Sequence, residues 1–297
     1  ERYNYNWAHT SDSSETAWLR ERNRLQALLS QGVKPIIGMV HMRPTLASHR
    51  YRDPHSRLVE EAVQEAVTLV SRGVHSVLIE NMHDVPYQRA EEAGPELSVS
   101  MTTVAMETRR RLPDTPLGVQ ILSGCNRAAL AVAKATDLDF VRAEGFVFAH
   151  IGDEGLTQSC AADLLRYRRQ LFASSVWLLA DVKKKHSSHA ITADTDLAET
   201  CRAAKFFLTD ALVVTGRATG CPTVPADVAE AAAAGQPLPV FVGSGASASD
   251  LAGLWTAADG FIVGSALKAG GRWENAVEPR RVDELVREHS RLAASGL

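Results

Sequence analysis

The sequence is poor in the features that mark most specialised proteins. Its 297 residues include only four cysteines, Cys125, Cys160, Cys201 and Cys221, and none are spaced as a zinc knuckle or a redox Cys-x-x-Cys. A chain this long builds a core without covalent staples, so they read as reduced thiols in a cytosolic or organellar compartment, not in a secreted protein. No apolar run approaches the roughly 20 residues of a membrane span. Excess charge is missing too: 32 Lys and Arg face 35 Asp and Glu, a formal net of −3. That balance offers no global attraction to nucleic acid or an anionic membrane. With 20 Gly, 12 Pro and 45% hydrophobic residues, the composition is that of a globular protein and excludes fibres and disorder. The chain opens at Glu1 and not at Met, from which we expect trimmed upstream sequence, a targeting peptide among the candidates.

What is present is a rhythm. Short β-branched runs alternate with longer helical patterns eight times between Lys34 and Ala294. The strands are read near Lys34–His41, Ser76–Glu80, Leu117–Leu122, Phe140–Glu144, Val176–Val182, Ala211–Thr215, Val240–Gly243 and Gly260–Gly264. Helices are expected over His55–Arg72, Val99–Arg111, Asn126–Thr136, Ala161–Leu171, Asp194–Phe206, Pro225–Ala234, Ser249–Ala257 and Arg281–Ala294, with Asp194 and Ser249 as N-caps. Eight strand-helix units predict an α/β fold, a single (β/α)₈ TIM barrel over 31–297. Residues 1–30 read as an N-terminal extension with a short helix, Arg20–Leu29, that covers the bottom or side of the barrel. A doubly wound sheet is the alternative, but no Gly-x-Gly-x-x-Gly follows the first strand.

In such a barrel the chemistry sits where strands end. These strand ends carry His41, Glu80, Asn81, Gln120, Arg142, Glu144, Asp181, Lys183, Lys185, Thr215, Ser244 and Ser265. Period-2 alternation puts Asp181, Lys183 and Lys185 on one face if the strand runs that far, and likewise Arg142 and Glu144. Asp181-x-Lys183 is the leading catalytic pair: a carboxylate that holds an ammonium, or a base beside a cation that steadies an enolate or alkoxide. A desolvated Lys183 would instead suit a Schiff base. Glu80 and Glu144 are candidate opposed acid and base. His41, Asn81, Gln120, Arg142 and His186 are candidate substrate contacts.

The most specific local signal is the pair of loops Val242-Gly-Ser-Gly245 and Gly264-Ser265. Glycines let backbone N–H groups approach an oxyanion, and a helix N-terminus just beyond adds unpaired donors. We expect a phosphate there, held by Gly243, Ser244, Gly245, Gly264 and Ser265, with Thr215 and Gly216 alongside. No cofactor is demanded. Glu80, Glu144 and Asp181 would form an oxygen site suited to Mg²⁺, and His41, His83 and His186 a mixed site for a transition metal, with the metal left unassigned. The long stretch Phe146–Gln158, flanked by Gly145, reads as a lid or as packing for a neighbouring subunit. A homo-oligomer is compatible with all of this.

Gly264-Ser265 after Ala258-Asp-Gly260 resembles the ribulose-phosphate-binding barrels. A narrower resemblance runs from Lys34 to Arg291: Gly38-Met-Val-His41, Glu80-Asn-Met-His-Asp-Val-Pro86, Gly118-Val-Gln-Ile-Leu122, Phe140-Val-Arg142, Asp153-Glu-Gly155, Leu165-Arg-Tyr-Arg168, Ala180-Asp-Val-Lys183 with His186, Val214-Thr-Gly-Arg-Ala-Thr-Gly220, and Lys268. These stretches are similar to the BtpA/SgcQ family. The resemblance implies a barrel with a ligand at its mouth and one of three roles: nucleosidase-like glycosidic cleavage, sugar-phosphate isomerase or aldolase-type chemistry, or a non-enzymatic role in assembling photosystem I, for which the family is named. Where the bacterial pattern reads Gly-Val-Asn-Val-Leu-Arg-Asn-Asp and Arg-Val-Asn, this chain has Gly118-Val-Gln-Ile-Leu-Ser-Gly-Cys-Asn126 and Arg142-Ala-Glu144. With Lys183-Lys-Lys-His-Ser-Ser-His189 these edits resemble the eukaryotic branch, which implies a mitochondrial setting.

Overall fold

Eight parallel strands close on themselves, and helices on the outside connect them. The computed structural model describes residues 23–216 and 222–295; the extension 1–22 and the stretch 217–221 lie outside them. In chain order the elements are α1 (Arg24–Ser30), β1 (Ile36–His41), α2 (His55–Ser71), β2 (Ser76–Glu80), α3 (Pro95–Arg111), β3 (Leu117–Gln120), α4 (Asn126–Ala135) and β4 (Phe140–Ala143). A hairpin β5 (His150–Gly152) and β6 (Gly155–Thr157) precedes α5 (Ala161–Gln170) and β7 (Trp177–Val182). Then come β8 (Ser187–Ser188), α6 (Leu197–Phe206), β9 (Ala211–Val214), α7 (Pro225–Gly235), β10 (Val240–Val242), α8 (Leu251–Leu254), β11 (Gly260–Val263) and α9 (Pro279–Ala294). The closed order is β1-β2-β3-β4-β7-β9-β10-β11, and β6-β5-β8 form a separate antiparallel sheet.

The sequence reason for closure is a strand set hydrophobic on both faces, as a buried parallel sheet requires. Residues on one face pack outward against helices that repeat an apolar stripe, as Leu58, Ala62, Ala66 and Leu69 do on α2. The other face fills the barrel with Ile37, Met39, Leu78, Phe140, Leu179, Ala211, Val213, Phe241 and Ile262. Gly118 faces inward without a side chain because Phe140 occupies its place: a Cβ there would sit 2.2 Å from the Phe140 ring. Leu25 of α1 joins this interior cluster, so the extra helix plugs the bottom of the barrel. Asn23 caps α1 and ties it down through the carbonyls of Asp139 and Ser175 at 2.7 and 2.8 Å. Asp139, wholly buried, accepts from the Arg24 and Leu117 amides and from the Arg109 guanidinium.

Several local expectations need correction. Helix α6 starts at Leu197 and is capped by Asp196, whose side chain accepts from the Glu199 amide, so Asp194 is not the cap. Only Leu251–Leu254 of the expected Ser249–Ala257 helix forms; Asp250 takes the cap position, and its carboxylate accepts from the Ser247 amide instead. Helix α3 starts four residues early, at Pro95, where proline's missing N–H costs nothing. The stretch Phe146–Gln158 is the β5–β6 hairpin, which β8 extends over one side of the mouth.

Candidate active site

Each strand contributes one inward position above the apolar filling. In barrel order these are His41, Glu80, Gln120, Arg142, Asp181, Thr215, Gly243 and Gly264. The register supports the ring: His41 lies opposite Glu80, and Glu80 opposite Gln120. Six positions carry polar side chains and the last two carry none, so the space opens toward β10 and β11. A Cβ on Gly264 would lie 3.1 Å from the His41 ring, and one on Gly243 would lie 2.4 Å from Val213 and 3.2 Å from Arg142. The result is a cleft of about 250 Å³ lined by the two glycine loops together with His41, Glu80, Arg142 and Lys185, and Arg142 Nη1 reaches the Gly243 carbonyl at 3.4 Å.

The three mouth carboxyls differ in their partners. Asp181 receives two hydrogen bonds from Arg142, from Nε at 2.9 Å and Nη2 at 3.2 Å, and both side chains are buried. Burial opposes the charge on each: it raises the Asp181 carboxyl, while Asp181 keeps the guanidinium charged despite desolvation. Glu144 accepts from the Gly124 amide at 2.9 Å, from Gln120 and Ser123, and pairs with Lys184 at 3.5 Å. Glu80 accepts no hydrogen bond among the described residues. Burial pushes it up to about 7, against the pull of Arg142 and Lys185. His41 Nε2 lies 3.7 Å from its Oε2. Burial, with help from Lys268, pushes His41 down to about 3, so the ring is neutral. Its Nδ1 lies 3.1 Å from the Trp273 carbonyl; read as a donor there, it leaves Nε2 an acceptor toward Glu80.

Asp181 and Lys183 form no ion pair among the described residues; both line a separate cavity of about 20 Å³ and neither lines the main cleft. Strand β7 ends at Val182, and Lys183 turns at φ 54°, so alternation stops before it. Its ammonium bonds to the Thr195 carbonyl, away from the cleft. Arg142 and Glu144 also part company, since β4 ends at Ala143 and Glu144 is held by the Ser123–Gly124 turn. Asn81 is buried and spends its amide on Asp84 and the Leu122 backbone, so it shapes the wall without lining the cleft. Gln120 donates to Glu144. His186 is exposed on the turn beyond Lys185 and does not line the cleft. Thr215 lies behind Gly243, and the Gly216 amide donates to Ser244 Oγ at 2.9 Å, bracing that loop. Among the described residues no three His, Cys, Asp or Glu side chains gather as a metal site.

On the loop side, Gly243, Ser244, Gly245, Gly264 and Ser265 line the cleft together. Gly245 takes φ 66°, the left-handed turn that favours glycine. The amides of Ser244, Gly245 and Ala246 donate to no protein group among the described residues. No long helix begins at either loop: one short 3₁₀ turn, Ser265–Leu267, and the four-residue α8 stand there, so the donors belong to the loops themselves. A residue that sequence reasoning passed over completes this wall. Arg281, in the first turn of α9, faces the cleft with its Nε on Glu278. Its signal was readable: Arg280 and Arg281 place two cations at a helix N-terminus, where the dipole disfavours them.

A closed parallel barrel with helices between its strands and a cleft at the strand C-termini defines a TIM barrel. The chain belongs to the BtpA family, whose profile matches residues 32–291. It is 37% identical to an uncharacterised mitochondrial protein of Caenorhabditis elegans over 276 residues, 92% of this chain and 99% of that one. It is 35% identical to the photosystem I biogenesis protein BtpA of Synechocystis over 85% of this chain and 86% of that one. Among solved structures, orotidine 5'-phosphate decarboxylase from Pyrococcus horikoshii superposes with a TM-score of 0.53 at 11% identity, covering 86% of this chain and 99% of that one. At that identity the likeness concerns the fold alone.

Proposed function

We propose that this protein is an enzyme acting on a phosphorylated sugar-like or nucleoside-like small molecule. The observation that carries the reading is what one cleft brings together: loop amides with no protein partner among the described residues and Arg281, beside Glu80, Arg142 and Lys185. The loops and Arg281 would hold the anion. Glu80, which changes charge near neutral pH, would give and take the proton. The carboxyl partners favour carbonyl chemistry of a sugar phosphate, isomerase- or lyase-like, over glycosidic cleavage. Cleavage of the latter kind needs two available carboxyls, and Asp181 and Glu144 are engaged elsewhere. A mitochondrial location follows the Caenorhabditis elegans relative.

Thermal shift against inorganic phosphate, sugar phosphates, nucleotides and Mg²⁺ with and without EDTA tests it. A ligand at 100 times its Kd stabilises by about 2.7 kcal/mol. Arg281→Ala should weaken phosphate-ester binding at least severalfold and leave the unliganded Tm near the parent value, because Arg281 is half-exposed. Equal shifts in parent and variant would remove the anion site from this wall.

An assembly role, as the Synechocystis relative's name suggests, has one observation in its favour. Phe172, on the turn after α5, and Phe206, at the C-terminal end of α6, are 75% and 80% exposed at the bottom of the barrel, far from the mouth. If that face docks a partner or a second copy, Phe172→Ser with Phe206→Ser should change mass in light scattering while ligand-induced stabilisation persists.

A further inference from the structure

Three consecutive lysines leave β7 and go three ways. Lys183 turns to the Thr195 carbonyl. Lys184 pairs with Glu144 at 3.5 Å and Glu154 at 3.8 Å, and donates to Ser123 Oγ at 3.3 Å. Lys185, set between left-handed residues at 183 and 186, lines the cleft. It has no hydrogen bond or ion pair among the described residues, unlike the buried Lys268, which Glu65 holds at 2.6 Å. It shares the cleft with Glu80 and with the Arg142 guanidinium, whose charge is already matched by Asp181.

Resting on the phosphate reading above, we propose that Lys185 is a covalent catalyst that forms an imine with the carbonyl of a phosphorylated aldose or ketose. Burial and the Arg142 charge lower its pKa, which enlarges the free-amine fraction. The amine adds to the carbonyl carbon. The carbonyl oxygen leaves as water, carrying one proton from the lysine nitrogen and one from the Glu80 carboxyl. A cationic C=N remains beside the Glu80 carboxylate, placed to accept a proton from the adjacent carbon. Neither Lys183 nor Lys184 can substitute, because each is anchored outside the cleft.

The test is reductive trapping with sodium cyanoborohydride, which delivers hydride to the C=N and fixes it as a secondary amine. The probes are dihydroxyacetone phosphate, glyceraldehyde 3-phosphate, ribose 5-phosphate and unphosphorylated dihydroxyacetone. Intact mass and peptide mapping should show one adduct per chain on Lys185, retained in Lys183→Met and lost in Lys185→Met and Lys185→Arg at unchanged Tm. Labels spread over surface lysines, or no adduct with any probe, overturn the proposal. A thermal shift by phosphate esters without an adduct would overturn the imine and leave the phosphate site standing. Equal trapping of dihydroxyacetone and its phosphate would uphold the imine and overturn the phosphate site.

Discussion

Glu80 shows how a single residue acquires its chemistry from position. Its strand buries every residue, yet ends on a carboxyl with no hydrogen-bond donor among the described residues. Desolvation therefore wins, and the group holds its proton up to about pH 7. A carboxyl raised in the folded state stabilises the protein fully below its unfolded value of 4.5, and that contribution is lost as pH rises through about 7. The shift corresponds to about 3 kcal/mol. Glu80→Gln should thus match the parent's stability at pH 4 and exceed it at pH 8, measured by denaturant titration. The same variant should abolish turnover. A parent-like pH profile would mean that water reaches Glu80 and that burial does not raise its carboxyl.

Among the elements, α1 belongs to the barrel floor and the βα loops to the cleft. Leu25 is wholly buried and closes the barrel floor beneath Ile37 and Phe140. Removing a leucine from such a site leaves a cavity and costs about 2–5 kcal/mol. Leu25→Ala should lower Tm by several degrees with no change in phosphate-ester affinity at temperatures where the variant is folded. A selective loss of binding would show that floor and mouth are coupled. At the mouth, the β6-β5-β8 sheet brings Lys184 onto Glu144 and Glu154, so one insertion both covers the site and occupies a carboxylate.

At the scale of the whole molecule, acid stability is set by buried neutral histidines. Burial holds His41 down to about 3, and His75 and His150 down to about 4. Each stabilises the fold above its unfolded pKa of 6.5, and that contribution is lost as pH falls through the folded value. His83, His186 and His289 are lowered in the same sense, while burial raises Glu80, Asp84, Asp181 and Asp210 in the opposite one, so six rings act against four carboxyls. Stability should fall between about pH 6.5 and 4, and His75→Gln should flatten that limb, read from Tm across the range. A flat parent profile would show that these rings are hydrated.

The alternation of eight strands and helices was legible because it depends only on period-2 and period-3.6 burial and on turn residues. The strand-end list was legible for the same reason: counting by twos from the apolar interior lands on His41, Glu80, Arg142 and Asp181. The two glycine loops were readable as places without Cβ atoms. Local pattern does not say where a strand stops, and one residue's overrun mis-assigned the lysines. Only the tertiary structure decided that Arg142 takes Asp181, that Lys183 leaves the cleft and that Lys185 enters it. Those outcomes follow from which charged groups meet across strands distant in sequence, and from a backbone turn at Lys183 that no periodicity encodes. Arg281 reaches the same cleft from the last helix because closure of the barrel brings the chain's end beside β10 and β11.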